Sequence, residues 1–593
     1  MSDGPPEGPD AEVPVPPPGA GGAPGPDGVE ATPPSRKARR KAQRSRRRRR
    51  IVFISFGSIV ALVVLVAAAG AALLWYENGR IHRVGVKHLS TVKTSGDQKD
   101  VENILLIGST TRCGLQQQNQ AFGLCDEGVT GVNSDVVMIL HLDPDHHRAS
   151  ILSIPRDTFV PNARPEGVNK IDAALGSPQG PSQLIAAITD DFGIPIQHYV
   201  QLNFDGFQSV VQALGGLKMY FPMPVYDADS SLYIPDTGCL TLNGFEALAV
   251  VRARHLQYQP ADDAGVPRYD WPYDPLSDLS RIRRDHEFLR VLAASVAKRG
   301  LGNFVTDIQL IDSLSGNLVV DTGFSATDMA DLVLAFHDVD PYGIPQYTLP
   351  VVVDGAGQYY YDGAGYGDIV LPIQPEDREV VSEFLGTKST EDASGGSLPS
   401  PGSFTVAIEN GTGVYDQGAT TATALEQLGF RVGSVTDTPA PATTTETTIL
   451  YSSPAQLDDA LEVQSQLSGL AVLGYDPGLV TAGTGSTSAG TTGGSTTSTI
   501  DVGSSLPASA GADVVVVTGT NFAVNAPASS HTTVPASSTS TTGPSTSVPG
   551  SVTTTTVPGA LADNPNLSAP SGSTQALEPW DPRSCTASGG EGP

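Results

Sequence analysis

Basic side chains are scarce in this chain. Its 593 residues hold 35 Lys and Arg against 63 Asp and Glu, a formal net charge of −28. Residues 36–50 alone carry eleven of the basic groups and residues 1–30 carry six acids, so everything after residue 50 holds −33. Charge of either sign is missing from residues 51–76, IVFISFGSIVALVVLVAAAGAALLWY. That run exceeds the roughly 20 residues a helix needs to cross a bilayer. A cleaved signal peptide fits poorly, because the apolar part is long and the small residues near Ala67–Ala72 lie inside it. The block SRKARRKAQRSRRRRR abuts the span, which predicts a cytoplasmic N-terminus and residues 77–593 outside. A basic tract can also serve nucleic acid, but this one ends at a bilayer and follows no nucleic-acid fold, so no nucleic-acid partner is expected. Cysteine is limited to four residues. Cys113 and Cys125 bracket a Gly/Gln/Asn-rich loop, near enough for a disulfide in an oxidising compartment, and no histidine lies close enough to suggest a metal site. Cys239 and Cys585 pair or stay free; the spacing does not decide.

Composition divides the chain further. Residues 1–50 read as a disordered basic tail, 51–76 as a transmembrane helix and 77–100 as a polar stalk. From 101 to 385 the composition is that of a globular domain. Strands are predicted at Asn103–Ile107, Asp135–Leu142, Ala149–Ile154 and His198–Phe204, with helices at Ser182–Phe192, Asp205–Leu214, Leu242–Val250 and Asp278–Lys298. This alternation predicts an α/β, layered helix–sheet–helix catalytic domain. A linker at 386–402 leads to a second small α/β domain at 403–522, interrupted by a Ser/Thr/Gly insertion at 480–505. Residues 523–593 form a Ser/Thr/Pro-rich tail that cannot bury a core.

Against this acidic background, three arginine motifs stand out: Ser153-Ile154-Pro155-Arg156-Asp157, Val251-Arg252-Ala253-Arg254-His255 and Asp278-Leu279-Ser280-Arg281-Ile282-Arg283-Arg284. Guanidinium grips phosphate bidentately and keeps its proton, so together they predict a receptor for a multiply charged anion. Any one of them alone is better explained by surface ion pairing. Pro155 stops a buried strand, placing Arg156 and Asp157 where the chain leaves the sheet. Arg252 and Arg254, two apart, share a side if the backbone is extended. In the helix from Asp278, Arg281 and Arg284 share one face, Arg283 is solvated, and Leu279, Ile282, Leu289 and Val296 form the buried stripe. Asp135, at a strand start, is one carboxylate from which magnesium could be held with phosphate oxygens; a strand-start turn residue is the alternative. Asn169-Lys170-Ile171-Asp172 is a polar cluster that could orient substrate or simply turn the chain.

The segments NILLIGSTTR, NSDVVMILHLDP, SILSIPRDTFVP, NKIDAAL, FGIPIQHYVQLNFDGFQSVVQALGG, VRARH and SDLSRIRRDHEFL resemble the LytR–CpsA–Psr family, and residues 404–522 resemble the LytR-type C-terminal domain that accompanies it. The resemblance implies a membrane-anchored glycopolymer ligase, a phosphotransferase at the outer face of the plasma membrane. Its partners would be a polyprenyl-diphosphate-linked glycan, peptidoglycan and the membrane. It implies Arg156, Arg252, Arg254, Arg281 and Arg284 as the diphosphate clamp, with Arg112 and Lys170 as further substrate contacts. It implies Asp135 as ligand of Mg2+ (or Mn2+), and Asp157 as support for the arginines or a participant in proton transfer. One departure matters: Thr110 stands where relatives carry an aspartate at the metal, and a hydroxyl is a poorer magnesium ligand. A prenyl-diphosphate hydrolase and a non-catalytic glycolipid-binding or wall-binding scaffold are the alternatives. Phe192, Ile194, Phe204 and Phe207 would line a lipid slot or, more simply, pack a core.

Overall fold

The computed structural model describes residues 79, 81–93, 99–113, 115, 123–165, 167–260, 265–274, 278–299, 318–336, 339–353, 357–436, 444–479 and 512–525, all within the unit Leu74–Pro593. The expected cytoplasmic tail, the apolar run 51–76, the insertion 480–505 and nearly all of the last 70 residues lie outside them. Among the described residues no helix is long and apolar enough to cross a membrane.

A seven-stranded mixed sheet organises the first domain, in the order His82–Val84, Leu318–Asp321, His198–Leu202, Glu102–Ser109, Ser134–Asp143, Arg148–Ser153, Gln346–Thr348. Glu102–Ser109 pairs antiparallel with Ser134–Asp143 and parallel with His198–Leu202. Side chains alternate across the sheet, so consecutive residues feed opposite layers. Leu105, Val137, Ile139 and Leu152 pack with Leu184 and Ile188 of helix Pro181–Phe192 and with Val381 and Phe384 of helix Glu376–Leu385. Leu106, Val136 and Met138 face the other layer, where helices Phe204–Ala213, Gly244–Arg252 and Asp278–Arg299 lie. The layered helix–sheet–helix arrangement is therefore present.

Two boundaries shift for local reasons. The strand expected over His198–Phe204 stops at Leu202, because the Asn203 side chain accepts from the Gly206 N–H at 2.9 Å and caps a helix that begins at Phe204. Leu242, expected in a helix, ends the strand Gly238–Leu242; Asn243 and Glu246 then form a capping box that starts the helix at Gly244. Cys113 and Cys125 are joined, with Cα atoms 5.1 Å apart, and Cys239 is also disulfide-bonded; Cys585 lies outside the described residues.

The second domain is a five-stranded sheet in the order Arg431–Thr436, Thr405–Asn410, Val514–Thr518, Thr447–Tyr451, Ala471–Tyr475, with helices Gln417–Gln427 and Leu457–Ser465. It is bonded to the first domain by backbone and side-chain groups. Asn162 donates through Nδ2 to the Tyr475 carbonyl at 2.8 Å and accepts the Tyr475 N–H at 2.9 Å. Gln374 and Gly469 exchange two backbone hydrogen bonds of 2.8 and 3.0 Å, and the Tyr451 hydroxyl donates to the Asp190 carbonyl at 3.1 Å. Burial near this seam pushes Asp190 and Asp377 each up to about 7, and Asp191 well above the usual carboxylate range. Groups held protonated in the folded state and ionised in the unfolded state stabilise fully below the unfolded value of 3.8, and that contribution is lost as pH rises through about 7. Thermal unfolding followed across pH should show a midpoint falling between about pH 4 and pH 7. Asp377→Asn should flatten that slope, and an equally steep slope in the variant would remove Asp377 as its source.

Candidate active site

The site assembles where Ser134–Asp143 begins and Arg148–Ser153 ends, since antiparallel pairing of those strands brings the two chain ends to one edge of the sheet. Asp135 sits one residue into its strand. Beyond Pro155 the chain turns, closed by the Thr158 hydroxyl donating to the Pro155 carbonyl at 2.6 Å, and this turn presents Arg156 and Asp157. Arg156 donates to Asp135 and, through Nε, to Asp157 at 3.4 Å. Asp157 also accepts from Lys170 Nζ and from Arg254 Nη2, each at 3.1 Å. Burial alone would push Asp157 up, but Arg156, Lys170 and Arg254 together hold it below the usual carboxylate value. It therefore stays ionised, which suits a support for cations and not a proton acceptor.

Two cavities meet at this cluster. A polar one of about 310 Å³ is lined by Arg112, Asn133, Asp135, Arg156, Arg252 and Arg254, with Thr110, Asp229 and His255 on its wall. An apolar one of about 230 Å³ runs between the sheet and its helices, lined by Val136, Met138, Phe204, Phe207, Phe288 and Leu292 among others. Asp135 and Arg252 line both cavities. Arg252 lies over the Phe204 ring, 4.9 Å from its centroid, and Phe207 stacks on Phe288 at 4.8 Å.

Several expected residues thus converge: Arg112, Asp135, Arg156, Arg252 and Arg254 line the polar cavity, and Asp157 and Lys170 brace it. Arg252 and Arg254 do so by another route than an extended strand. Arg252 closes the helix Gly244–Arg252 and Ala253 is its cap, so the direction change at the helix end aims both guanidiniums at one space. The second helix pair separates. Arg281 lines the apolar cavity, 3.9 Å from Asp285 in the same helix, whereas Arg284 lines neither cavity. Arg284 is 1% exposed, donates to the Ala253 carbonyl and lies 3.7 Å from Asp274, so it anchors the helix to the Arg254 segment. Helical spacing put both arginines on one face but could not say which would be claimed by a neighbouring carbonyl. Of the expected stripe, Ile282 is buried and Leu289 borders the apolar cavity; the side chains of Leu279 and Val296 lie outside the described residues. Phe204 and Phe207 line the slot, while Phe192 and Ile194 belong to the core on the opposite face.

Asp229 and His255 had no expected role of their own, and Asp172 stood only in the polar cluster with Asn169 and Lys170. His255 Nδ1 and an Asp229 carboxylate oxygen lie 2.8 Å apart at the polar cavity, and His255 stood in the VRARH motif while Asp229 carried no signal. Asp172, buried behind the cluster, accepts from Asn133 Nδ2 at 3.3 Å, and burial pushes it up to about 6. The departure at position 110 is also legible in contacts: the buried Thr110 hydroxyl accepts the Asn133 N–H at 3.0 Å and donates to the Asn133 carbonyl at 3.3 Å. It serves the backbone. Among the described residues no group of three or more His, Cys, Asp or Glu could hold a metal. A cation shared between Asp135 and substrate oxygens fits this donor set; a cage closed by protein ligands alone does not.

A row of guanidiniums thus opens into an apolar slot, with Asp135 and Arg252 at the junction. Residues 77–367 match the LytR_cpsA_psr family and residues 403–522 match the LytR cell envelope-related transcriptional attenuator domain. The chain belongs to the LytR–CpsA–Psr family and carries its companion C-terminal domain. It is 31% identical over 251 residues to the probable cell wall biosynthesis protein LcpB of Corynebacterium glutamicum, covering 42% of this chain and 54% of that one. It is 25% identical over 368 residues to the cell wall biosynthesis protein LcpA of the same organism, covering 56% and 65%. To the polyisoprenyl-teichoic acid–peptidoglycan teichoic acid transferase TagV of Bacillus subtilis it is 27% identical over 227 residues, covering 35% and 52%. The chain thus spans little more than half to two thirds of these relatives. A solved LytR-Csp2A-Psr enzyme from Actinomyces oris overlays with 22% identity and a TM-score of 0.39, covering 51% of this chain and 96% of that one, a likeness that says nothing of the site.

The division of labour among the arginines is open to measurement. Arg156→Ala should fold normally and bind geranylgeranyl diphosphate about a hundredfold more weakly, the loss of two charge-assisted hydrogen bonds. Arg284→Ala should instead lower unfolding stability by about 3 kcal/mol, because it leaves a buried carboxylate without its cation. Equal effects of the two variants on binding would put Arg284 back at the ligand.

Proposed function

We propose that the protein is a membrane-anchored phosphotransferase that moves a glycopolymer from a polyprenyl diphosphate carrier onto a peptidoglycan hydroxyl, outside the cytoplasmic membrane. The observation that carries this reading is the junction of the two cavities at Asp135 and Arg252. A diphosphate seated among Arg112, Arg156, Arg252 and Arg254 would send its prenyl chain between the sheet and the helices while its glycan stayed at the open polar end. The anchoring run 51–76, with the basic block before it, would keep the amino terminus in the cytoplasm and the site beside the lipid. The names of LcpB, LcpA and TagV support the same assignment.

In the reaction proposed, an acceptor sugar hydroxyl attacks the phosphorus nearest the glycan. A P–O bond forms to the acceptor, the bond to the bridging oxygen breaks, and polyprenyl phosphate leaves with that oxygen and the electron pair. Charge accumulates on the leaving phosphate, where Arg156, Arg252 and Arg254 would neutralise it without reorganising. Asp157 holds Arg156 and Arg254 in place, and Lys170 balances the third side of that carboxylate. The hydroxyl proton passes to an aspartate beside the diphosphate. Asp135 is the aspartate that lines the polar cavity, whereas Asp172 is buried behind the cluster and Asp157 is held by its three cations. Magnesium, held by Asp135 and phosphate oxygens, would supply further positive charge at the diphosphate.

The full chain in detergent, given a labelled prenyl-diphosphate glycan and peptidoglycan fragments, should produce a glycan–peptidoglycan phosphodiester. Release of phosphorylated glycan to water alone would identify a hydrolase, and tight binding without turnover a scaffold. With Thr110→Asp, half-maximal transfer should need less magnesium; an unchanged magnesium requirement would mean that position 110 does not reach the cation.

A further inference from the structure

Beside the polar cavity lies a second surface that the diphosphate reading does not use. The three-stranded sheet Leu232–Ile234, Val225–Asp227, Gln257–Tyr258 carries Tyr226 and Tyr233 on adjacent strands, and Tyr269 stands against them. The Arg268 guanidinium is held among all three rings, 5.0 Å from the Tyr226 centroid, 4.5 Å from Tyr233 and 5.6 Å from Tyr269. Tyr233 and Tyr269 are 46% and 66% exposed, and with Pro224, Gln259 and Val266 they border a groove of about 350 Å³. Aromatic rings left this open are uncommon on a surface without a ligand to cover them. Trp271 beneath is buried, its indole N–H donating to the Val266 carbonyl at 3.0 Å and its own carbonyl accepting from Gln257 at 2.7 Å, so the groove floor is fixed.

We propose that this groove binds the glycan of the lipid-linked donor, an inference that rests on the phosphotransferase reading above. The choice of occupant comes from continuity. Asp227, at the end of the same strand as Tyr226, accepts the His255 N–H at 2.8 Å, and His255 with Asp229 lines the polar cavity. The strand ends at Asp227, whose carboxylate accepts the Asp229 N–H at 2.9 Å, so one short turn of backbone joins the tyrosine sheet to the wall of the polar cavity. A glycan leaving the diphosphate therefore meets tyrosine faces next. Hexose rings present C–H faces that stack on such rings and hydroxyls that pair with phenol, amide and guanidinium groups, which Tyr233, Gln259 and Arg268 supply.

The test compares geranylgeranyl diphosphate with the same lipid carrying a neutral linear hexose tetrasaccharide, binding each to the full chain in detergent. Wild type should bind the conjugate about tenfold tighter than the bare lipid, the gain expected of one or two aromatic stacks. Tyr269→Ala and Tyr233→Ala, at exposed positions, should each erase most of that gain and leave affinity for the bare diphosphate unchanged. Arg268→Gln should do the same. A wild type without preference for the conjugate, or variants that keep it, overturns the proposal. Variants that lose affinity only for peptidoglycan fragments assign the groove to the acceptor and also overturn it. So does removal of residues 526–593 raising affinity for the conjugate in wild type but not in Tyr269→Ala, which would make the chain's own tail the occupant. A wild type that binds neither lipid defeats the phosphotransferase reading as well, and so is told apart from failure of the groove alone.

Discussion

One half-buried carboxylate holds the site together. Asp157 draws cations from three separate stretches of chain, Arg156 from the turn after one strand, Lys170 from the end of the strand Gly167–Lys170, and Arg254 from beyond a helix. Without that negative centre, three cations crowded together would repel one another and swing outward. With it they stand preorganised, as the proposed transfer requires of the groups that neutralise its charge. The arrangement also explains why an acidic protein invests arginine so sparingly: each placed cation is balanced locally, so the fold tolerates it before substrate arrives.

Much of this was legible in the residues. Strand and helix periods located four contiguous strands of the main sheet and four helices to within a residue or two, because long alternating and helical runs bury one face each; the short strands His82–Val84, Leu318–Asp321 and Gln346–Thr348 gave no such signal, the first lying in the expected stalk. Two of the three motifs held Arg156, Arg252 and Arg254 of the polar cavity. What failed to show was anything decided by contacts between distant segments. Arg284 and Arg281 look equivalent on a helical wheel, yet Ala253 and Asp274 approach only one of them. Arg252 and Arg254 were read as strand neighbours because two-residue spacing cannot distinguish a strand from a helix that ends between them. Asp172 looked like a turn residue, and only its burial gives it a proton affinity near neutrality. The tyrosine groove left no pattern, since its members come from positions 226, 233 and 269 without shared periodicity.

The apolar slot and the charged cavity solve opposite solvation problems within a few residues. Desolvated cations are costly unless paired, and an exposed prenyl chain is costly anywhere in water. Placing Arg252 against the Phe204 ring lets one side chain border both the polar and the apolar cavity. Ser153 and His286 add a quieter contribution, a 2.5 Å contact that ties the strand feeding Arg156 to the helix carrying Arg281. Burial pulls His286 down to about 3, so it holds that contact as a neutral ring across the physiological range.

The sheet of the terminal domain has an order that bears on its synthesis. Its middle strand, Val514–Thr518, pairs with Thr405–Asn410 on one side and Thr447–Tyr451 on the other, yet it is the last of the five to be translated. Until the ribosome has passed the long Ser/Thr/Gly excursion, the two halves of that sheet have no partner between them. A message cut anywhere before codon 518 would thus leave two unpaired edges exposed, and the excursion acts as a delay between making the halves and joining them.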